Sequence, residues 1–228
     1  MDADDRPVGE PVSTAPARRP AREPLEGRFV SLVPVDPIEH TPGLFAAAHD
    51  GSTEAGRMWT YLPYGPWPDE AAMRTWVERL PASDDPLFFT VLEGTGDPVG
   101  VVTFMNVDPA MRHLELGNIW YAPGAQRTRA NTESTYLMLR YAFDELGNRR
   151  VEWKCDALNA RSRAAAERMG FSFEGIFRQH MIIKGRNRDT AWFAMLDREW
   201  PAVRANMERW LDEDPPPSLR ELNDALRP

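Results

Sequence analysis

Cysteine is almost absent from this chain: Cys155 stands alone among 228 residues. A single thiol excludes an internal disulfide framework and leaves no cysteine cluster for a zinc site. Long apolar runs are missing too. No stretch approaches the roughly 18 apolar residues of a membrane span, and no signal-peptide h-region is visible near Met1. Positive charge is in deficit, with 27 Lys and Arg against 35 Asp and Glu, a net charge of −8. That balance argues against non-specific nucleic-acid or anionic-membrane binding, although an acidic chain can own a local basic pocket. The expectation is a cytoplasmic protein with no metal, no nucleic-acid partner and no membrane partner.

What is present is enough for a core: 42% hydrophobic residues, with eight Trp and ten Phe. Residues 1–24 are rich in Pro, Ala and charge with almost no large apolar side chain, so they read as a flexible leader. Residues 25–211 form the main domain, and residues 212–228 hold a Pro-rich break and a short helix. In that tail Ser218 and Glu221 have the spacing of a capping box.

Within the domain the pattern alternates. Phe29–Val35 reads as a strand and Met73, Trp76, Val77 and Leu80 as a helix face. Two apolar runs around a Gly-Asp-Pro turn, ending at Val107, read as a hairpin. His113–Tyr121 is the next strand, and Tyr136, Leu139, Phe143 and Leu146 share the face of a helix beginning near Glu133. Val151, Trp153 and Cys155 alternate with polar residues as a half-buried strand should. A short helix ending at Gly170 and a last hairpin follow, giving a mixed α/β (α+β) domain around one sheet. An apolar edge on that hairpin could support a homodimer.

The stretch "PGAQRTRANTES", Pro123 to Ser134, joins a strand to a helix. Asn131 or Thr132 could cap that helix, whose first N–H groups and dipole would attract an anion. Arg127 and Arg129 make the turn locally positive.

This turn resembles the acetyl-CoA pyrophosphate loop of the GCN5-related N-acetyltransferases (GNAT), Gln-x-x-Gly-x-Gly/Ala, with Gln126 at the first position and Thr132-Glu133-Ser134 after it. "LNARSRAAAERMGFSFEG" (Leu158–Gly175), "LEGRFVSLVPV" and "GRNRDTAWFAML" resemble further blocks of the RimJ/RimL-like branch, in the right order from about Leu25 to Trp210. Arg129 and Asn131 replace both loop glycines; Arg129 either points away or reaches a phosphate oxygen.

The resemblance implies a GNAT fold, with a central, mostly antiparallel sheet, splayed fourth and fifth strands and flanking helices. It implies acetyl transfer from acetyl-CoA to a primary amine, a peptide N-terminus or a small molecule, directly in a ternary complex. Another donor such as succinyl-CoA, or a non-catalytic acyl-CoA-binding module, are the alternatives. Glu115–Tyr121 would be the splayed fourth strand. The resemblance places Ile119, Trp120, Tyr121, Gln126, Arg127, Thr128, Arg129, Ala130, Asn131, Thr132, Asn159 and Ser162 at the cofactor. Ser162 would protonate the leaving thiolate, whereas a purely local reading has Asn159 capping a helix and Ser162 completing its first turn.

Glu115, His113 and His180 are the candidate bases. Trp59, Tyr61 and Tyr64 would wall the acceptor site. Cys155 has no adjacent His and reads as a buried strand residue, against an acyl-cysteine intermediate.

Overall fold

The computed structural model describes residues 6–94 and 96–227. Eight strands form one sheet: β1 (Leu25–Glu26), β2 (Val30–Pro34), β3 (Leu87–Glu93), β4 (Pro98–Asp108), β5 (His113–Tyr121), β6 (Arg150–Asp156), β7 (Ser172–Ile183) and β8 (Arg186–Leu196). Their order is β1-β2-β3-β4-β5-β6-β8-β7, and every neighbouring pair is antiparallel except β5 with β6. Strand β7 is an edge and exposes Phe173, Phe177, Met181 and Ile182.

Strand alternation sends neighbouring residues to opposite faces, so the sheet carries two cores. On one face Phe89, Val102 and Leu116 pack with helix α4 (Arg129–Arg140) and helix α6 (Trp200–Asp212). On the other, Phe88, Val101 and Trp120 pack with α1 (Thr41–Ala48) and α3 (Glu70–Val77). Three short helices complete the chain: α2 (Thr53–Arg57), α5 (Ala160–Arg168) and α7 (Leu219–Asp224). Among the described residues no helix is long and apolar enough to cross a membrane.

Three expectations change. The helix after the turn starts at Arg129 with Thr128 at its N-cap, so Asn131 and Thr132 lie inside it rather than capping it. Its far end widens into a π-helical turn, Tyr141–Glu145, before Gly147 at φ 78° turns the chain. Part of the leader is docked: Ala17 is buried, its N–H donates to Pro109, Arg18 N–H donates to Leu146, and Ala21 N–H donates to the Tyr141 hydroxyl. Backbone hydrogen bonds, which composition does not reveal, hold it there; residues 1–5 of that leader lie outside the described residues. The tail helix forms as its capping box implies, with Ser218 Oγ accepting from Glu221 N–H at 3.3 Å.

Helix α4 is tied to the first strands by one buried carboxylate. Glu133 accepts the N–H groups of Arg28 at 2.8 Å, Phe29 at 2.6 Å and Val30 at 2.8 Å. Gly27 makes room for it, because a Cβ there would lie 2.6 Å from the carboxyl. Removing the carboxylate strands buried donors, each of which costs about 1–3 kcal/mol. Glu133→Ala is therefore expected to lower stability by about 3 kcal/mol in chemical unfolding, scaling from that range. An unchanged midpoint would show that the turn does not depend on this contact.

Candidate active site

Strands β5 and β6 run parallel for four residue pairs, His113–Leu116 against Arg150–Trp153, and then part. Beyond Leu116, β5 stays on β4 but carries a bulge: Gly117 faces Thr103 and Trp120 faces Val101. Asn118 takes the left-handed conformation there, φ 49°, which Asn tolerates better than most residues. Gly117 beside it leaves room for the Met105 side chain, whose Sδ a Cβ would displace. Thr103 Oγ1 donates to the Gly117 carbonyl at 2.9 Å and Tyr64 Oη to that of Asn118 at 3.2 Å, which pins the distortion.

The parting opens a cleft of about 1150 Å³ between β5 on one side and β6, α5 and β8 on the other. The β5 backbone edge that faces it has no strand partner after Leu116. Trp120 and Tyr121 line the cleft but bury their rings in the cores, so their backbone is what they present. Burial pushes the Tyr121 phenol up to about 12, and its hydroxyl is paired with Ser134.

At one end of the cleft lies the strand-to-helix turn. Gln126, Arg127 and Asn131 line it; Thr128, Arg129, Ala130 and Thr132 do not. Gln126 Nε2 donates back to the Tyr121 carbonyl at 3.0 Å, and Arg127 adopts φ 64°, a left-handed conformation that glycine takes more readily. Arg129 points away: its guanidinium donates to the Glu213 carbonyl at 2.9 Å, lies 3.6 Å from Asp214 and stacks on Phe29. The Thr128 hydroxyl donates to Ala125, so no side chain caps the first N–H groups of α4.

Sequence reasoning missed Arg168. Its guanidinium lines the same end, donates to Thr132 Oγ1 at 3.0 Å and sits over Trp210. Burial pulls its pKa below the ordinary arginine value, and among the described residues no carboxylate pairs with it.

The middle of the cleft holds Ser162. The Asn159 side chain caps α5 by accepting from Ser162 N–H at 3.1 Å, as the local reading held. The Ser162 hydroxyl accepts from Trp153 Nε1 at 3.0 Å and also reaches the Cys155 thiol. Burial raises the Cys155 pKa, so the thiol stays protonated and is a poor nucleophile.

The other end is polar and charged. Glu115 is buried, with both its donors on Oε2: Lys154 Nζ at 3.0 Å and Asn106 Nδ2 at 2.6 Å. Lys154 also pairs with Glu152 at 2.9 Å and lies over the Trp192 ring at 3.9 Å. His180 lines the cleft with Nδ1 at 2.9 Å from Thr190 Oγ1. His113 is outside it, at the far end of β5.

Of the three aromatics expected on the acceptor wall, only Tyr61 is there. Trp59 is 1% exposed, its ring packed among Tyr64, Trp67 and Trp120. Tyr64 is half-buried, its ring against Trp67 and Trp76, and desolvation raises its pKa. The loop they belong to is fastened at both sides of the cleft. Tyr61 Oη donates to the Leu158 carbonyl at 3.2 Å, and Lys184 Nζ donates to the carbonyls of Trp59 at 2.8 Å and Gly65 at 2.6 Å.

Comparison with known proteins adds a lineage to this geometry. Residues 31–172, more than half of the chain, match the family model of the acetyltransferase (GNAT) domain. A solved GCN5-related N-acetyltransferase from Brucella melitensis is 42% identical and superposes with a TM-score of 0.87, covering 92% of this chain and 98% of that one. YdaF of Bacillus subtilis (strain 168), a candidate ribosomal N-acetyltransferase, is 32% identical over 105 residues. That match takes in 46% of this chain and 57% of YdaF, so the chain spans little more than half of that relative. The microcin C7 self-immunity acetyltransferase MccE, solved with acetyl-CoA and AMP, is 18% identical with a TM-score of 0.62 over 75% of this chain and 93% of its own. At that identity the likeness is one of fold.

The Glu115–Lys154–Glu152 group yields a stability prediction. Burial alone would raise the Glu152 carboxyl, but hydrogen bonds from Lys154 and Arg150 outweigh it and hold it below the usual range. A depressed carboxyl stabilises the fold above its unfolded pKa, about 4.3, and that contribution is lost as pH falls through the folded value. Lys154→Gln leaves two carboxylates underpaired in the interior, a loss of about 3–5 kcal/mol at neutral pH. The gap between variant and parent in thermal melts is expected to shrink as pH drops toward 4, the usual carboxyl range. A gap independent of pH would mean that Lys154 contributes through packing alone.

Proposed function

The chain belongs to the GNAT acetyltransferase family, and on that premise we propose that it transfers an acetyl group from acetyl-CoA to a primary amine, directly and without an acyl-enzyme. The observation that carries this reading is the cleft itself, with unpaired β5 backbone on one wall and Ser162 on the other. The residues present suit such a donor. The uncapped N-terminus of α4, Arg127 and the carboxylate-free Arg168 would hold a diphosphate. The β5 edge beyond Leu116 would hold an amide-bearing arm and the acyl carbonyl. When bound, the donor supplies an acyl group activated as a thioester.

This chain's residues then manage protons and position. Ser162 accepts a bond from Trp153, so its own O–H can turn from the Cys155 thiol to donate to a sulfur leaving at that point. Glu115 keeps Oε1 beside Gly117, where it can draw in the acceptor's ammonium and take up its proton through water. His180, on the solvent side, is a second acceptor for that proton. The protonated, buried Cys155 favours direct transfer. The likeness to YdaF makes a peptide N-terminus a natural first acceptor to test.

The test is CoA-thiol release from acetyl-CoA across a panel of amines, alongside calorimetric titration with CoA. Repeated turnover is expected, with Ser162→Ala at least about tenfold slower and Glu115→Gln about a hundredfold slower, the latter at the low end of the range for general acid–base groups. CoA affinity should survive both changes and also Arg129→Ala, because Arg129 faces the C-terminal segment. Tight binding without turnover on any amine would instead support a binding module, and no binding would remove the donor assignment.

A further inference from the structure

We propose that the acceptor carries a carboxylate close to its reacting amine and that Arg188 selects for it; this rests on the acyl-transfer reading above. Strand alternation on β8 brings Arg188, Thr190 and Trp192 to the cleft, opposite Asp156 and Lys154 of β6. Nearly every other charge near that end is already engaged. Lys154 bridges Glu115 and Glu152, Arg57 and Arg161 share Glu54, Asp156 accepts from Leu158 N–H, and Lys184 holds two carbonyls.

Arg188 differs. Its Nε donates to Thr190 Oγ1 at 3.2 Å, and no carboxylate among the described residues pairs with it. The same Thr190 oxygen meets His180 Nδ1 at 2.9 Å, so the guanidinium is oriented before any ligand arrives. Among the described residues its two terminal NH2 groups have no hydrogen-bond partner, and they present the planar fork that a carboxylate fills with two parallel bonds. Orientation in advance cuts the ordering cost of binding.

Chemistry of the opposite sign is disfavoured at the same point. A second ammonium, as in a polyamine or an amino sugar, would face this guanidinium and find Glu115 already shared by Lys154 and Asn106 and Asp156 already accepting from Leu158 N–H. The chain's overall charge of −8 repels acids at a distance, so the preference depends on this local cation and should weaken when it is removed. The carboxylate could be the α-carboxylate of an amino-acid-like amine or an acidic side chain beside a peptide N-terminus.

Matched acceptors separate these sources. Serine against serinamide tests an α-carboxylate, and seryl-aspartyl-alaninamide against seryl-asparaginyl-alaninamide tests a side chain. With saturating acetyl-CoA, at least one acidic member is expected to exceed its neutral partner by about tenfold in kcat/KM. Arg188→Gln should collapse that ratio to about twofold or less, with acetyl-CoA affinity and melting temperature reporting an intact fold. Calorimetric titration of the acidic acceptors into the CoA complex reads the same preference without turnover. Acid-selective binding that Arg188→Gln abolishes, with no turnover, would sustain this inference and sink the acyl-transfer reading. Turnover with no acid preference, or a preference that survives Arg188→Gln, overturns the inference alone. Neither binding nor turnover of any acidic acceptor overturns it as well.

Discussion

The separation of β5 from β6 is the constraint on which the rest depends. Two parallel strands that paired along their whole length would leave no cleft, and the sheet would cover the β5 edge that now lines it. Their parting follows from local features. A two-residue bulge at Asn118 and Ile119 bends β5 along β4, while β6 continues on β8 as far as Asp156 against Thr190. Thr103 and Tyr64 satisfy the carbonyls that the bend would otherwise strand. The two cores then hold the strand from both faces through Tyr121 and Trp120.

Around that opening the charges do not follow the net sign of the chain. The α4 end of the cleft holds two arginines, Arg127 and Arg168, with no carboxylate partner among the described residues. Elsewhere it is lined by a carboxylate already shared among its neighbours, Glu115, and by Arg188, which has no carboxylate partner among the described residues. An acidic chain thus presents a cleft whose local field differs from its surface, which composition alone could not reveal.

Much of the scaffold was legible because it is local. Alternation marked β6, the Gly-Asp-Pro turn marked the β3–β4 hairpin, and Asn159 marked the start of α5. The branch resemblance read in the blocks is matched by the likeness to YdaF. What escaped the reading is non-local. Arg129 turns away because Glu213 and Asp214, some eighty positions later, take its guanidinium. Trp59 and Tyr64 looked like wall residues because exposure is not written in an aromatic, Pro-restrained stretch; their partners Trp67, Trp76 and Trp120 decide it. Glu115 and Lys154 lie far apart in sequence, and only the parallel pairing of their strands makes them an ion pair.

The Glu133 contact bears on how the protein can be cut. Its three donors, Arg28, Phe29 and Val30, lie just before residue 31, where the family match begins. A fragment trimmed to that match would keep the carboxylate and discard the amides that neutralise it. Helix α4 would then carry a bare buried charge against the sheet. The practical limit of the folding unit therefore falls upstream of the recognisable one, at or before Gly27, whose missing side chain lets the amides close on the carboxylate.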